Sequence, residues 1–131
     1  MEENFKDEWI KTSIDEQCIN FAEKFGKQLV DNNFTTSQIR NVYGEIKRIQ
    51  LSGFSENKSD FLLLRPKMAY ASKRATDKDR RATGATDFEK VIKKAHGAVA
   101  SGTDGDARRF ENFCDFVEAI LAYHKAAGGR D

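Results

Sequence analysis

Apolar residues recur at spacings of three and four through most of this chain, the period of α-helices that each bury one stripe. The clearest case is Ala107 to Gly129, where Phe110, Phe113, Val117, Ile120 and His124 share a face that Cys114 and Leu121 widen. Three phenylalanines on one helix make it the element the others should pack around, and Gly128 supplies its stop. Ile14, Cys18, Phe21, Phe25 and Leu29 predict an earlier helix opened by a Ser13–Glu16 capping box and ended by Asp31-Asn32-Asn33. Gly26 should weaken it by roughly 1 kcal/mol relative to alanine. A second box, Thr35 with Gln38, opens a helix running on Ile39, Val42, Ile46 and Ile49 to about Leu51.

Ser52 to Asp60 has turn formers and no period, so it reads as a loop. Phe61 to Ala75 is helical around Pro66, which either kinks one long helix or opens a new one. Residues 76–86 carry no apolar anchor and predict a mobile basic loop. Thr86 and Glu89 form a third capping box ahead of Phe88, Val91, Ile92 and Ala95, and the small residues from His96 to Asp106 read as a linker. Residues 1–12, anchored only by Phe5, Trp9 and Ile10, are either a short docking helix or an arm. The expected fold is all-α: one compact bundle of about five helices in a single domain spanning 1–131.

Composition agrees. In 131 residues, 39% are hydrophobic and 33% charged, with a single proline. No apolar run is long enough to span a bilayer, and the acidic start does not resemble a secretion signal, so a cytoplasmic protein is expected. Cys18 and Cys114 lie far apart on apolar stripes, which suggests buried free thiols. The net charge of +1 conceals an asymmetry: residues 1–31 hold eight acids against four lysines, while residues 65–81 hold seven bases against two aspartates. A local field of that sign attracts a polyanion, although a solvated lysine- and arginine-rich loop is the plainer reading.

A catalytic constellation is not apparent. His96 and His124 are the only histidines, no Cys or His pair has zinc-ligand spacing, and the glycines at 97, 102 and 105 lack the frame of a dinucleotide loop. Glu111, Asp115 and Glu118 line an outer side of the last helix as a solvated or partner-facing stripe. No metal or cofactor is expected, and neither is an enzyme. Binding fits better, because Arg40–Tyr43–Lys47 and Lys67–Tyr70–Arg74 each set a tyrosine between two cations. Such a pattern suits phosphates and a stacked base, or two partly buried tyrosines flanked by ordinary surface charge. Arg108 and Arg109 stand at a helix start, where the macrodipole disfavours cations. Either an anion bound there or pairing with Asp104, Asp106 or Glu111 would resolve this.

Three stretches carry a resemblance: FTTSQIRNVYGEI (34–46), LLLRPKMAYASKR (62–74) and RFENFCDFVEAILAYHKAAGGRD (109–131). In this order and spacing they resemble the small α-helical subunit of the type III-A CRISPR effector, the Csm complex. The resemblance runs from about Phe34 to the end and is most specific in the closing stretch. It implies a non-catalytic subunit, several copies of which stack as an inner filament beside the backbone and large subunits. Their basic faces would line the channel where target RNA pairs with guide RNA. On that implication the candidate RNA contacts are Arg40, Lys47, Arg48, Arg65, Lys67, Lys73 and Arg74. Arg80 and Arg81 join them on charge alone, as do Lys90, Lys93 and Lys94, and Arg108 and Arg109 through the helix start. The rival reading is a helical adaptor whose basic face binds an acidic protein without nucleic acid.

Overall fold

The computed structural model describes residues 1–101 and 104–130; Gly102, Thr103 and Asp131, parts of the expected linker and of the closing stretch, lie outside them. A 3₁₀ turn at Glu2–Asn4 precedes α1 (Glu8–Lys11), α2 (Glu16–Asp31), α3 (Thr36–Ser52), α4 (Lys58–Lys78), α5 (Thr83–Val99) and α6 (Asp106–Ala126). The described residues contain no strand, and no helix among them is long and apolar enough to cross a membrane. The fold class is all-α, as the periodicity predicted, with one helix more than expected because residues 8–11 form a short turn of their own.

α6 is the axis of the bundle. Phe110, Phe113, Phe116, Val117, Ile120 and His124 are fully buried, and Asn112 and Cys114 nearly so. At 100° per residue these positions span more than half the helix circumference, so α6 can pack on α1, α2, α3 and α5 at once. Its rings feed two aromatic clusters. Phe116 stacks on Phe21 at 6.0 Å beside Phe5 and Trp9. Phe110 and Phe113 meet Phe61 edge-on at 5.6 Å, and Phe54 stacks on Phe110 at 4.5 Å. Gly128 takes φ 93° just past the helix, as its position predicted. The tail then ties back, the Thr36 amide donating to the Arg130 carbonyl at 2.7 Å.

The N-terminal segment is docked. Trp9 and Ile10 are buried, and the Asn112 side chain of α6 donates to the carbonyls of Ile10 and Thr12. The Thr35–Gln38 capping box is present on both sides. The Ser13–Glu16 box is not: Asp15 caps α2 instead, its carboxylate accepting from the Cys18 amide at 2.9 Å. An aspartate one residue ahead of the helix caps as well as a serine, and the extended backbone at Asp15 fixes the start there.

Three further expectations need correction. Residues 76–86 are mostly helix, with only Asp79–Ala82 between α4 and α5. Ala82 and Ala85 are the anchors, buried because the Gly84 amide reaches the Asn32 carbonyl and seats α5 against the end of α2. Thr86 therefore lies within α5 and caps nothing, while Asp87 accepts from Asn32 and Gln28. The linker read from His96 onward is helical through Val99, with His96, Ala98 and Val99 buried. Alanine and glycine gave no apolar period there, yet their size is what lets backbones approach closely.

α4 is continuous through Pro66. The amide lost to the ring frees the Leu62 carbonyl, and both residues face solvent, where water can satisfy it. The helix buries only Phe61, Leu64, Met68, Ser72 and Ala75, lying on α3 and α5 as an outer layer. Its remaining circumference is open.

Candidate nucleic-acid interface

α4 carries four of the candidate cations, more than any other helix. Arg65, Lys67, Lys73, Arg74 and Lys78 are all exposed, as are Arg80 and Arg81 in the link beyond. Tyr70 is 66% exposed, which rules out a core role for it, and the Arg74 guanidinium lies 5.7 Å from its ring centre. Lys78 was not among the sequence candidates, although its spacing signals it: Lys67, Arg74 and Lys78 at i, i+7 and i+11 share one face.

Intramolecular partners sort these cations. Arg48 bonds Glu45 and Asp60, and Lys67 reaches Glu45 at 3.5 Å. The Arg48 hydrogen bond is the main reason the Glu45 carboxyl sits below its usual range. Lys73 pairs with Asp77 one turn on, and Arg81 with Asp79. Exposed pairs of this kind are worth at most about 1 kcal/mol, so an incoming phosphate can displace them. Arg40, Lys47, Arg65, Arg74, Lys78, Arg80 and Arg108 have no ion pair among the described residues.

The two base–tyrosine–base stripes do not form one surface. Lys67–Tyr70–Arg74 faces outward on α4, whereas Arg40–Tyr43–Lys47 lies on the side of α3 that meets α6. Tyr43 is half-buried and its hydroxyl donates to Glu118 at 3.2 Å; burial first, and then the Glu118 charge, hold the phenol above its usual range. Gln50 donates to Glu111 on the same seam. Asp115 lies between those two glutamates, and its carboxyl is raised by burial first and then by Glu118 and Glu111. Lys47 and Arg108 are the cations set against Asp115 in this seam. Helical spacing alone cannot show that two identical patterns face different neighbours.

Arg109 has its guanidinium on the Val99 carbonyl at 2.9 Å and the Asp104 carbonyl at 2.7 Å. It closes the turn from α5 into α6, which explains an arginine at a helix start without a bound anion. Asp106 is engaged by Lys58 at 2.9 Å, and Arg108 remains exposed. On α5, Lys90, Lys93 and Lys94 are exposed on the outer side, with Lys94 reaching Glu2.

Both cysteines and both histidines are core residues. Cys18 and Cys114 are buried, and burial pushes both thiols up to about 12. The His124 Nε2 lies 2.6 Å from the Phe34 carbonyl. His96 stacks flat on Phe61 at 3.9 Å with its Nε2 2.7 Å from the Phe61 carbonyl, and burial lowers its pKa from the usual 6.5. The unfolded chain therefore binds a proton there before the folded one does. This contribution to stability is complete above about pH 6.5 and is lost as pH falls from there through the folded-state value. We expect urea midpoints to drop between pH 7 and 5, and the drop to shrink in His96→Gln. An equal drop in that variant would assign the acid sensitivity to other groups.

A family model described as Csm2 Type III-A matches residues 13–130 of the chain. The chain belongs to the Csm2 family. It is a small subunit of the type III-A CRISPR complex, assembled with the other subunits of that particle. The match takes in α2, which the sequence resemblance beginning near Phe34 had left out, and stops short of α1. No curated protein and no solved structure matches the chain.

Proposed function

We propose that this subunit is non-catalytic and lays the open face of α4 along the sugar–phosphate backbone of target RNA paired with guide RNA, without reading sequence. The observation that carries the reading is the row of exposed cations Lys67, Arg74 and Lys78 on one face of α4, with Arg74 beside an exposed tyrosine and without an ion pair among the described residues. Guide pairing supplies specificity, so the protein needs only charge and shape. Copies of the chain stack in the cytoplasmic particle as an inner filament. The acidic stripe of Glu111, Asp115 and Glu118 and the basic face of α4, on opposite sides of α3, are complementary between neighbouring copies in a head-to-tail arrangement.

Reversing Lys67 and Arg74 to glutamate in the assembled complex should reduce target-RNA retention and lower the salt slope of binding by roughly 1.5. The helical signal and melting should be unchanged, because both side chains are exposed. Full retention would remove RNA from this face. The adaptor reading draws on the apolar residues Leu62 and Leu63, about half exposed on the same helix. Under it, the double reversal would release the chain from the particle and leave RNA binding by the remaining subunits intact.

A further inference from the structure

Between α3, α4 and α5 lies a hollow of about 260 Å³ that the rows of cations do not explain. Its apolar wall is Phe34, Val42, Met68 and Phe88, with the two rings packed at 5.0 Å. Gln38, Asn41 and Glu89 add polar groups, and Arg74 and Lys78 stand at α4 on the same lining. Several of these groups are uncommitted. The Gln38 side-chain oxygen is used by the Thr35 amide, and among the described residues its NH2 and the side chains of Asn41 and Glu89 have no hydrogen-bond partner. A second hollow of about 210 Å³ continues the first along α4, sharing Asn41, Val42, Met68 and Ala71 and adding Leu64 and the Lys67–Glu45 pair. From Leu64 to Lys78 the joined groove follows α4 for about 21 Å at 1.5 Å per residue.

A ligand that suits this lining has a flat, mostly apolar body with donors and acceptors on its edge, and a negative charge at one end. A nucleobase with its phosphate meets those terms. The hollow is smaller than most sites for drug-sized ligands, which suits one ring system rather than a large metabolite. The base edge would meet the Asn41 amide, which donates and accepts, the Gln38 NH2 and the Glu89 carboxylate. The phosphate would meet Arg74, which lies over the Tyr70 ring, and Lys78, neither of which has an ion pair among the described residues.

We propose that the groove between α3 and α4 takes an unpaired nucleotide of the RNA strand, its base in the hollow and its phosphate on Arg74 and Lys78. This rests on the reading of α4 as an RNA face, and it adds a place where a base leaves the duplex instead of lying along it. Unstacking costs least where a base is already unpaired, so the site selects strand irregularity and not sequence.

The test uses the full chain, isotope-labelled, with amide shifts followed during titration by adenosine monophosphate, uridine monophosphate and inorganic phosphate. Both nucleotides should move Asn41, Val42, Ala71 and Ala75, and phosphate alone should not. Ala71→Phe and Asn41→Phe fill the groove from opposite walls at exposed positions, and each should weaken nucleotide binding roughly tenfold, the scale of one base contact. A phosphate titration that reproduces the nucleotide shifts, or nucleotides that move nothing, overturns the proposal. In the assembled complex, RNA retained by both phenylalanine variants but lost on reversing Lys67 and Arg74 overturns the groove and leaves the RNA face standing. Retention by all of them removes both.

Discussion

Phe113→Ala should lower the unfolding free energy by about 3–5 kcal/mol, measured as a shift in the urea midpoint at constant slope. The ring is fully buried on the axis helix, edge-on to Phe61 at 5.6 Å and to His96 at 6.2 Å, and beside Phe110 at 6.2 Å. Those neighbours come from α4, α5 and α6, so three elements would have to move to fill the space, and interiors relax only partly. Against a total of about 5–15 kcal/mol for a domain of this kind, such a loss leaves a marginal protein. A change near zero would mean that the cluster around Phe61 does not form. The proposed RNA face on α4 would be disturbed indirectly, because Phe61 is what seats the start of that helix in the core.

Gly26→Ala should also destabilise, and here the direction is the informative part. Helix propensity alone predicts a gain of roughly 1 kcal/mol on removing a glycine from the middle of α2. The structure reverses the sign. A Cβ at Gly26 would stand 2.8 Å from the His124 nitrogen and 2.9 Å from the Tyr123 carbonyl carbon and Cβ. These are largely backbone atoms of α6, so relief requires the two helices to separate instead of a side chain to rotate. Overpacking of this sort costs about 1–3 kcal/mol, occasionally more, and we expect a net loss of about 2 kcal/mol. Enhanced stability in the alanine variant would show that α2 and α6 are not in such close approach.

Gly26 also marks the boundary of what could be read from the chain. Large side chains at regular spacing declared α2, α3 and α6, and the Thr35–Gln38 box fixed one helix start to the residue. Where the packing is done by small residues, the period disappears. Residues 83–85 and 96–99 looked like loop for that reason, yet they are helix, with Gly84, Ala85, His96, Ala98 and Val99 buried. Phe54, within the expected loop, stacks on Phe110 because a turn can still deliver one ring to the core. Local rules also competed: Ser13 and Asp15 could each cap α2, and only the backbone at Asp15 decides between them.

For the site, the sign of the charge was legible and its arrangement was not. The bases of residues 65–81 do share one helix and its following turn, since a single element keeps sequence neighbours together. Tyr43 and Tyr70 looked equivalent, but one hydroxyl is bonded to Glu118 on α6 and the other ring faces solvent. The groove depends on how α3, α4 and α5 are spaced, and no periodicity within one helix carries that information. Arg109 at its helix start left an anion and local pairing both open, and its guanidinium donates to the Val99 and Asp104 carbonyls between α5 and α6.

The docked N-terminal turn has a practical consequence. Trp9 is the only tryptophan in the chain, and it is enclosed by Phe5, Phe21 and Phe116. It stands on the segment ahead of the family match, held by two carbonyl contacts to Asn112. Indole emission is therefore a reporter of that segment's release as well as of global melting. Circular dichroism, dominated by the five longer helices, barely registers the segment leaving. A gap between the two signals separates detachment of the first dozen residues from loss of the bundle.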